Sequence, residues 1–325
     1  MQYGAWIHTG GGLSLDSQAA LAVKCGIGSL RSYSYDYALR AAPALQETGM
    51  GLLAGMHIDA GALIADWQSQ IHLEILEKYH QLGVPLTGVC VGNELREGGD
   101  APESKRFTAR LSFGLANVVR VYRHWLDDHG YSTPLTYAME GLVQDSSGDF
   151  HEWVLPLIDA VDMVGMNLYP MGHWEWFTYR AFEESRKFLF DPRTRNDRLV
   201  AFEYRLRRAL AQLQPLEKPL ILTETGFPSA TAYHMDEDLK LVIPESDNQR
   251  YGTVMGQYLD RIRGAADDYQ GMLRAVYFYE WRDNLYHSKI WNVEQSPIHV
   301  AFGLCDQNGR PKFDIKALLS KQQRC

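Results

Sequence analysis

Short apolar segments alternate along the chain with longer segments in which apolar residues recur every three or four positions. The short segments predict buried strands, and the longer ones predict amphipathic helices. The predicted strands cover residues 3–7, 28–35, 51–58, 84–94, 134–139, 161–168, 218–224 and 273–281. The predicted helices follow them at about residues 16–26, 37–48, 62–82, 104–128, 153–158, 179–213, 248–266 and 312–322.

Strict alternation of strands and helices is typical of a parallel sheet. Eight such units in 325 residues predict an α/β fold, a closed (β/α)8 TIM barrel, with residues 1–325 forming a single catalytic domain. A doubly wound open sheet stays an alternative, because periodicity does not show closure. The Gly10-Gly11-Gly12 turn after the first strand counts against it, because it is not the G-x-G-x-x-G fingerprint of dinucleotide binding.

Two of the predicted strands end in a glutamate. Glu94 follows Asn93 at the end of the fourth strand, and Glu224 ends the seventh strand and is followed by turn residues. In a parallel barrel the carboxyl ends of all strands meet at one face, where active sites lie. A structural carboxylate, paired with an arginine or capping a helix, is the alternative for either one alone. Most glycosidases use two carboxyl groups that converge on the bond to be cleaved, so the pair predicts a glycosidase.

Other polar and aromatic side chains also fall at predicted strand ends, where they could bind sugar hydroxyls or stack on a sugar ring. The predicted substrate-binding side chains at these ends are Arg31, Tyr33, His57, Asn93, Glu140, Asn167, Tyr169, Glu280 and Trp281. A purely structural role stays open for Glu140 and Glu280.

Composition and charge narrow the possible partners. The net charge of −8 argues against a nucleic-acid partner. No run of 18 apolar residues and no leader-like segment is present, which predicts no membrane association. The expected location is the cytoplasm, or the outside of the cell if a leader has been removed. The four cysteines lack metal-binding spacing and no other ligand cluster is evident, so no metal is expected. No cofactor is expected either. The oligomeric state stays open.

Two motifs carry a resemblance to a known superfamily. VGNE at residues 91–94 and TETGFPS at residues 223–229 resemble the two signatures of the (β/α)8 retaining glycoside hydrolases of clan A. Within the clan they are most similar to family 17, the β-1,3-glucanases, whose motifs read roughly VGNE and ETGWPS. Further agreement comes from LRSY at 30–33, VDMVGMNLYP at 161–170 and NQ at 248–249.

Several positions depart from the family 17 pattern. Phe227 replaces the usual Trp and is expected to contact the substrate, while Trp281 resembles the strand-eight Trp of cellulase- and mannanase-type members. The aromatic cluster at 174–177, which includes Trp174, and the loop at 230–245 have no family counterpart. These two insertions could wall one end of a substrate groove and favour exo-action.

The resemblance implies roles for individual residues. Glu94 would be the general acid/base and Glu224 the nucleophile of a double displacement, without a cofactor. The charge of Glu224 would raise the pKa of Glu94 until the glycosyl-enzyme forms. Asn93 would bind the sugar 2-hydroxyl, and Tyr169 and Arg31 would hold Glu224. Trp281 would be the floor for the sugar ring.

The expected partner is an oligo- or polysaccharide, and the expected reaction is hydrolysis of a β-linked glucan. Three alternatives stay open. The same carboxylates could transfer the sugar to another sugar, as a transglycosylase. The enzyme could act on another β-linkage or sugar, such as a mannan or a small β-glucoside. A non-catalytic sugar-binding barrel is disfavoured, because both catalytic positions hold Glu.

Overall fold

The computed structural model describes residues 1–8, 13–33, 35–58, 66–96, 107–140, 143–170, 189–235, 242–285 and 300–321. The strands are β1 (Gln2–Trp6), β2 (Ser29–Arg31), β3 (Gly51–Met56), β4 (Leu86–Asn93), β5 (Leu135–Glu140), β6 (Val164–Asn167), β7 (Leu220–Thr225), β8 (Ala230–Met235), β9 (Val242–Ser246) and β10 (Leu273–Phe278). The described helices are α1 (Leu15–Lys24), α2 (Tyr35–Thr48), α3 (Asp66–Gln81), α4 (Ala109–Asp128), α5 (Leu155–Ala160), α6 (Arg195–Leu213), α7 (Asn248–Asp268) and α8 (Ile315–Leu319).

Eight of the described strands close into a parallel barrel in the order β1-β10-β7-β6-β5-β4-β3-β2. The predicted (β/α)8 barrel is therefore confirmed, and the open-sheet alternative is excluded. That residues 1–325 form one catalytic domain stays a prediction. Strands β8 and β9 pair antiparallel with each other, outside the barrel. They form a hairpin in the segment after β7 that the sequence presented as a loop.

Four of the described helices begin at a residue whose side chain accepts a hydrogen bond from a free backbone amide. Thr108 precedes α4 and accepts a hydrogen bond from Leu111 N at 3.2 Å, and Asp247 caps α7 in the same way. The cap of α1 is Ser14, two residues before the predicted start of this helix. Asp16 lies in the first turn, where its charge complements the helix dipole.

The barrel interior contains a small polar network within an apolar layer. The hydroxyl of Tyr277 lies 3.1 Å from Ser29 Oγ and 3.2 Å from Thr87 Oγ1, so its buried phenol has partners. A Cβ at Gly4 would lie 2.4 Å from the Tyr277 ring, so only glycine leaves room for this side chain. The larger core lies between the strands and the helices. The interior is therefore filled, and the carboxyl ends of the strands are left as the place for a site.

None of the helices in the part of the chain that the structure describes is long and apolar enough to cross a lipid bilayer. Among the same residues, no group of three or more His, Cys, Asp or Glu side chains is arranged to hold a metal ion.

Candidate active site

Glu224 ends the apolar run of β7, and both of its carboxylate oxygens face a donor. Arg31 Nη1 lies 2.8 Å from Oε1, and the hydroxyl of Tyr169 donates to Oε2 at 2.7 Å. The Glu224 side chain is 10% exposed, so these contacts lie in a largely water-excluded environment. A carboxylate that is ion-paired with a guanidinium and accepts from a phenol is held in one orientation.

Arg31, at the end of β2, is fully buried and contacts residues of several strands. Its Nη2 donates to Asn93 Oδ1 at 2.6 Å, and its Nη1 also donates to the backbone carbonyl of Thr223. The guanidinium carbon lies 4.5 Å from the centre of the Tyr33 ring. Burial by itself would lower the pKa of Arg31, but Tyr33 and Glu224 outweigh it and the pKa is raised. The cation therefore joins β2, β4 and β7 at the mouth of the barrel.

Glu94 follows β4 at a point where the backbone turns. Gly92 has a φ of 89° and Glu94 a φ of 45°, and the pairing of β4 with β5 shifts register between Cys90 and Asn93. Irregularities of this kind re-aim a side chain at the rim of a barrel. The Glu94 side chain is 24% exposed, more open than Glu224. The turn therefore presents a carboxyl group to solvent at the barrel mouth.

Asn167, at the end of β6, connects the two glutamates. Its Nδ2 donates to Glu94 Oε1 at 2.9 Å and to Asn93 Oδ1 at 3.2 Å, while its Oδ1 accepts from Thr223 Oγ1 at 2.7 Å. Because Asn93 also accepts from Arg31, hydrogen bonds connect Glu94 to Arg31, and the Arg31–Glu224 ion pair extends this connection to the second glutamate. A guanidinium can only donate, so the oxygen of the Asn93 side chain faces Arg31. The amide nitrogen of Asn93 is then the group left to bind a ligand.

Glu140, at the end of β5, is an ion-pair partner and not a sugar-facing group. Its carboxylate binds Nε of Arg96, and its side chain is 1% exposed. This corrects its prediction as a ligand of sugar hydroxyls, because burial leaves it almost no surface for a substrate. The sequence prediction missed Arg96, whose Nη2 lies 4.0 Å from Glu94 Oε2. The position of this cationic residue, two residues after Glu94, is the sequence feature that could have identified it.

Three partly exposed aromatic side chains, Trp6, Tyr33 and Tyr279, form an aromatic wall beside the carboxylates. Trp6 stacks on Tyr279 with ring centres 5.5 Å apart and meets Tyr33 edge-on at 5.2 Å. Burial, and then the negative charges of Glu280, Glu224 and Glu94, raise the pKa of Tyr279 well above its usual value. Only Tyr33 of this wall was predicted. The other two occupy the end of β1 and the position after β10, where barrel sites draw their residues.

Trp281 and Phe227 lie away from this wall, which corrects two predictions. Trp281 has no exposed surface on which a sugar ring could stack, because the segment after β10 is covered by the segment around Cys305. Phe227 is also fully buried. It packs edge-on against Tyr251 and Tyr258 of α7, with ring centres 5.1 and 5.8 Å away, because the turn after β7 directs it outwards from the barrel.

The remaining predicted residues are not brought to the carboxylates. Glu280 is fully buried, with Oε2 3.6 Å from His8 Nε2, so it does not present a surface for a hydroxyl. His57 is exposed after β3 and influences His72 of α3, whose pKa is lowered by burial first and then by His57. Trp174 lies outside the described residues.

Solved structures share this fold. An endo-laminarinase from Formosa Hel1_33_131 superposes with a TM-score of 0.66 at 15% identity, covering 97% of this chain and 86% of that one. CJP38, a β-1,3-glucanase and pollen allergen of Cryptomeria japonica, gives 0.64 at 16% identity, covering 97% and 99%. A β-glucuronidase from Bifidobacterium dentium gives 0.59 at 14% identity, covering 98% of this chain and 45% of that one. No protein-family model matches the sequence, and no curated protein sequence is significantly similar to it. At these identities the similarity establishes the fold, a closed (β/α)8 barrel shared with several glycosidases.

Proposed function

We propose that this protein is a retaining β-glycoside hydrolase that acts on β-linked glucans or gluco-oligosaccharides, in the manner of a β-1,3-glucanase. The observation that carries the proposal is the pair Glu94 and Glu224, which the chain of Asn167, Asn93 and Arg31 joins at the barrel mouth. Two carboxyl groups in unequal surroundings at one site are what glycoside cleavage needs.

Glu224 is the nucleophile in this proposal. Arg31 is ion-paired with one of its oxygens and Tyr169 donates to the other, which holds the carboxylate in one orientation for attack. The carboxylate attacks the anomeric carbon, and a covalent glycosyl-enzyme forms as the glycosidic bond breaks. Water then attacks the same carbon and breaks its bond to Glu224, and the sugar is released with its original anomeric configuration.

Glu94 is the general acid and then the general base. It protonates the leaving oxygen in the first step and takes a proton from water in the second. Its larger exposure suits a group that exchanges protons with leaving groups and water. Asn93 donates from its amide nitrogen to the sugar 2-hydroxyl, a contact that strengthens in the transition state. None of these steps needs a cofactor.

The substrate class rests on two observations. The aromatic wall offers ring faces beside the carboxylates, and rings of this kind pack against the apolar face of a sugar. Two of the structures that share the fold are an endo-laminarinase and a β-1,3-glucanase, which supports a β-glucan as substrate.

The test is product analysis of the purified protein on laminari-, cello- and manno-oligosaccharides and on aryl β-glucosides and β-glucuronides. We expect cleavage of laminari-oligosaccharides with retention of the anomeric configuration. Proton NMR of the first-formed anomer measures this configuration. Glu224→Ala should be inactive, whereas Glu94→Ala should keep part of its activity on glycosides with good leaving groups and be rescued by azide. Glu47→Ala, an exposed glutamate on α2, is the matched control.

Each other outcome has a defined meaning. Cleavage of another linkage or sugar alone would keep the mechanism and overturn the substrate. Longer oligosaccharides among the products would identify transglycosylation. Activity of Glu224→Ala equal to that of the wild type would overturn the proposed nucleophile.

A further inference from the structure

The two oxygens of Glu94 have different surroundings. Oε1 accepts a hydrogen bond from Asn167 Nδ2 at 2.9 Å. The Asn167 amide cannot turn over without loss, because its Oδ1 accepts from Thr223 Oγ1 at 2.7 Å. Oε1 therefore stays an acceptor, and the proton that Glu94 delivers as an acid sits on Oε2. That oxygen is the one that faces Arg96.

A cation beside a carboxyl group favours its ionised form, which opposes the task of an acid. Arg96 Nη2 lies 4.0 Å from Oε2, too far for a hydrogen bond but close enough for a direct electrostatic effect. Its Nε is held by Glu140, whose side chain is 1% exposed. The buried carboxylate both fixes the position of the guanidinium and offsets its charge.

We propose that the Arg96–Glu140 ion pair is a charge-balancing and positioning element that sets the pH at which Glu94 gives up its proton. The inference rests on the proposed role of Glu94 and deepens it. Arg96 stabilises the ionised Glu94 that the second step needs as a base. Glu140 limits that effect, so that Glu94 still binds a proton for the first step. Both residues act through Glu94 and do not themselves react.

The other titratable side chains described near Glu94 are neutral or are already paired with a cation. Burial is the main cause that raises the pKa of three tyrosines around it, which are therefore neutral in the working range: Tyr137, Tyr169 and Tyr279. On the far side, Glu224 is paired with Arg31. Arg96 lies on the side of Oε2, and Glu140 is bound to it.

The two halves of the pair should shift the pH profile in opposite directions. Glu140→Gln leaves the Arg96 charge unbalanced, so the alkaline limb of kcat/KM should move to lower pH by roughly 0.5–1 unit. Arg96→Gln removes the cation, so the limb should move to higher pH. The double variant should return towards the wild type, and Arg96→Lys, which keeps the charge, should shift the limb less than Arg96→Gln. Folding of each variant is checked by its melting temperature.

The same variants are followed by carbon-13 NMR of labelled glutamate side chains, with Glu94→Gln to assign the Glu94 signal. This readout does not need activity, so it separates the two proposals. Opposite shifts of the Glu94 titration would support the charge balance even if no glycoside is cleaved. Shifts in the same direction, or a Glu94 titration unmoved in folded variants, would overturn it and leave the proposed hydrolase untouched.

Discussion

Arg31 and Glu224 form a buried ion pair, with 2.8 Å between Nη1 and Oε1, although β2 and β7 are not neighbours in the barrel. The arginine reaches across the barrel mouth and also holds Asn93 and the backbone of Thr223. Removing one partner of such a pair leaves an uncompensated buried charge, which typically costs about 3–5 kcal/mol. The pair therefore couples the stability of the barrel mouth to the geometry of the site.

Arg31→Lys should lower both activity and stability, although it keeps the charge. A single ammonium cannot reproduce the planar fork that contacts Glu224, Asn93 and Thr223 together. We expect kcat to fall roughly 100-fold and the free energy of unfolding to fall by about 2 kcal/mol. Steady-state kinetics and urea unfolding measure the two effects. Arg274→Lys, at an exposed position on β10, is the control, and kinetics equal to the wild type in Arg31→Lys would contradict the role.

Tyr169→Phe should affect catalysis far more than folding. It removes the 2.7 Å hydrogen bond to Glu224 Oε2 but keeps the ring, which packs edge-on against Phe302. The carboxylate loses a donor that orients it, so kcat should fall about tenfold, measured by steady-state kinetics. The melting temperature should change little. An unchanged kcat would argue against Tyr169 as a positioning group for the nucleophile.

The position of the aromatic wall can be tested by comparing Tyr279 with Trp281. Tyr279→Ala should lower kcat/KM roughly tenfold or more, because the partly exposed ring that stacks on Trp6 is lost. Trp281→Phe should mainly lower the melting temperature, because the indole is fully buried. The comparison uses kinetics on the best oligosaccharide together with thermal unfolding. The reverse pattern would restore Trp281 as the sugar platform.

A second buried ion pair lies outside the candidate site and predicts a pH-dependent stability. Lys312 Nζ lies 2.6 Å from Asp283 Oδ1 and 2.6 Å from Ser229 Oγ. Burial raises the pKa of Asp283 to about 6, even though Lys312 opposes this. The folded protein therefore holds the Asp283 proton more tightly than the unfolded chain, and this stabilising contribution is lost as pH rises towards 6.

Lys312→Met should lower the free energy of unfolding by about 3–5 kcal/mol at pH 8, because Asp283 is then ionised and buried without a cation. The loss should be smaller at pH 5, where Asp283 is protonated. Urea unfolding across this range measures the difference. The double variant Asp283→Asn and Lys312→Met has no carboxylate at this position. Its loss of unfolding free energy relative to the wild type should therefore not grow between pH 5 and pH 8. An equal loss for Lys312→Met at both pH values would contradict the raised pKa.

Much of the fold and the centre of the site follow from local sequence pattern. Apolar runs ending in polar residues predicted the barrel strands, although β2 ends at Arg31, four residues before the predicted limit. Because parallel strands end at one face, the placement of Glu94 and Glu224 at two such ends already predicted that they would meet. The contacts of Glu224 with Arg31 and Tyr169 involve residues at the ends of other strands, so the same argument reaches them.

The periphery of the site depends on where each strand stops and what packs behind it. Strand β10 ends at Phe278, so the partly exposed ring is Tyr279, and Trp281 turns into the core. Glu140 has the same strand-end pattern as Glu94, yet Arg96 from a neighbouring strand end binds it. The sequence by itself determined the barrel and its two glutamates, because the spacing of apolar residues and the polar residues at strand ends are local properties of the sequence. Only the tertiary structure decided which further side chains reach the site, because burial and ion pairing depend on residues distant in sequence.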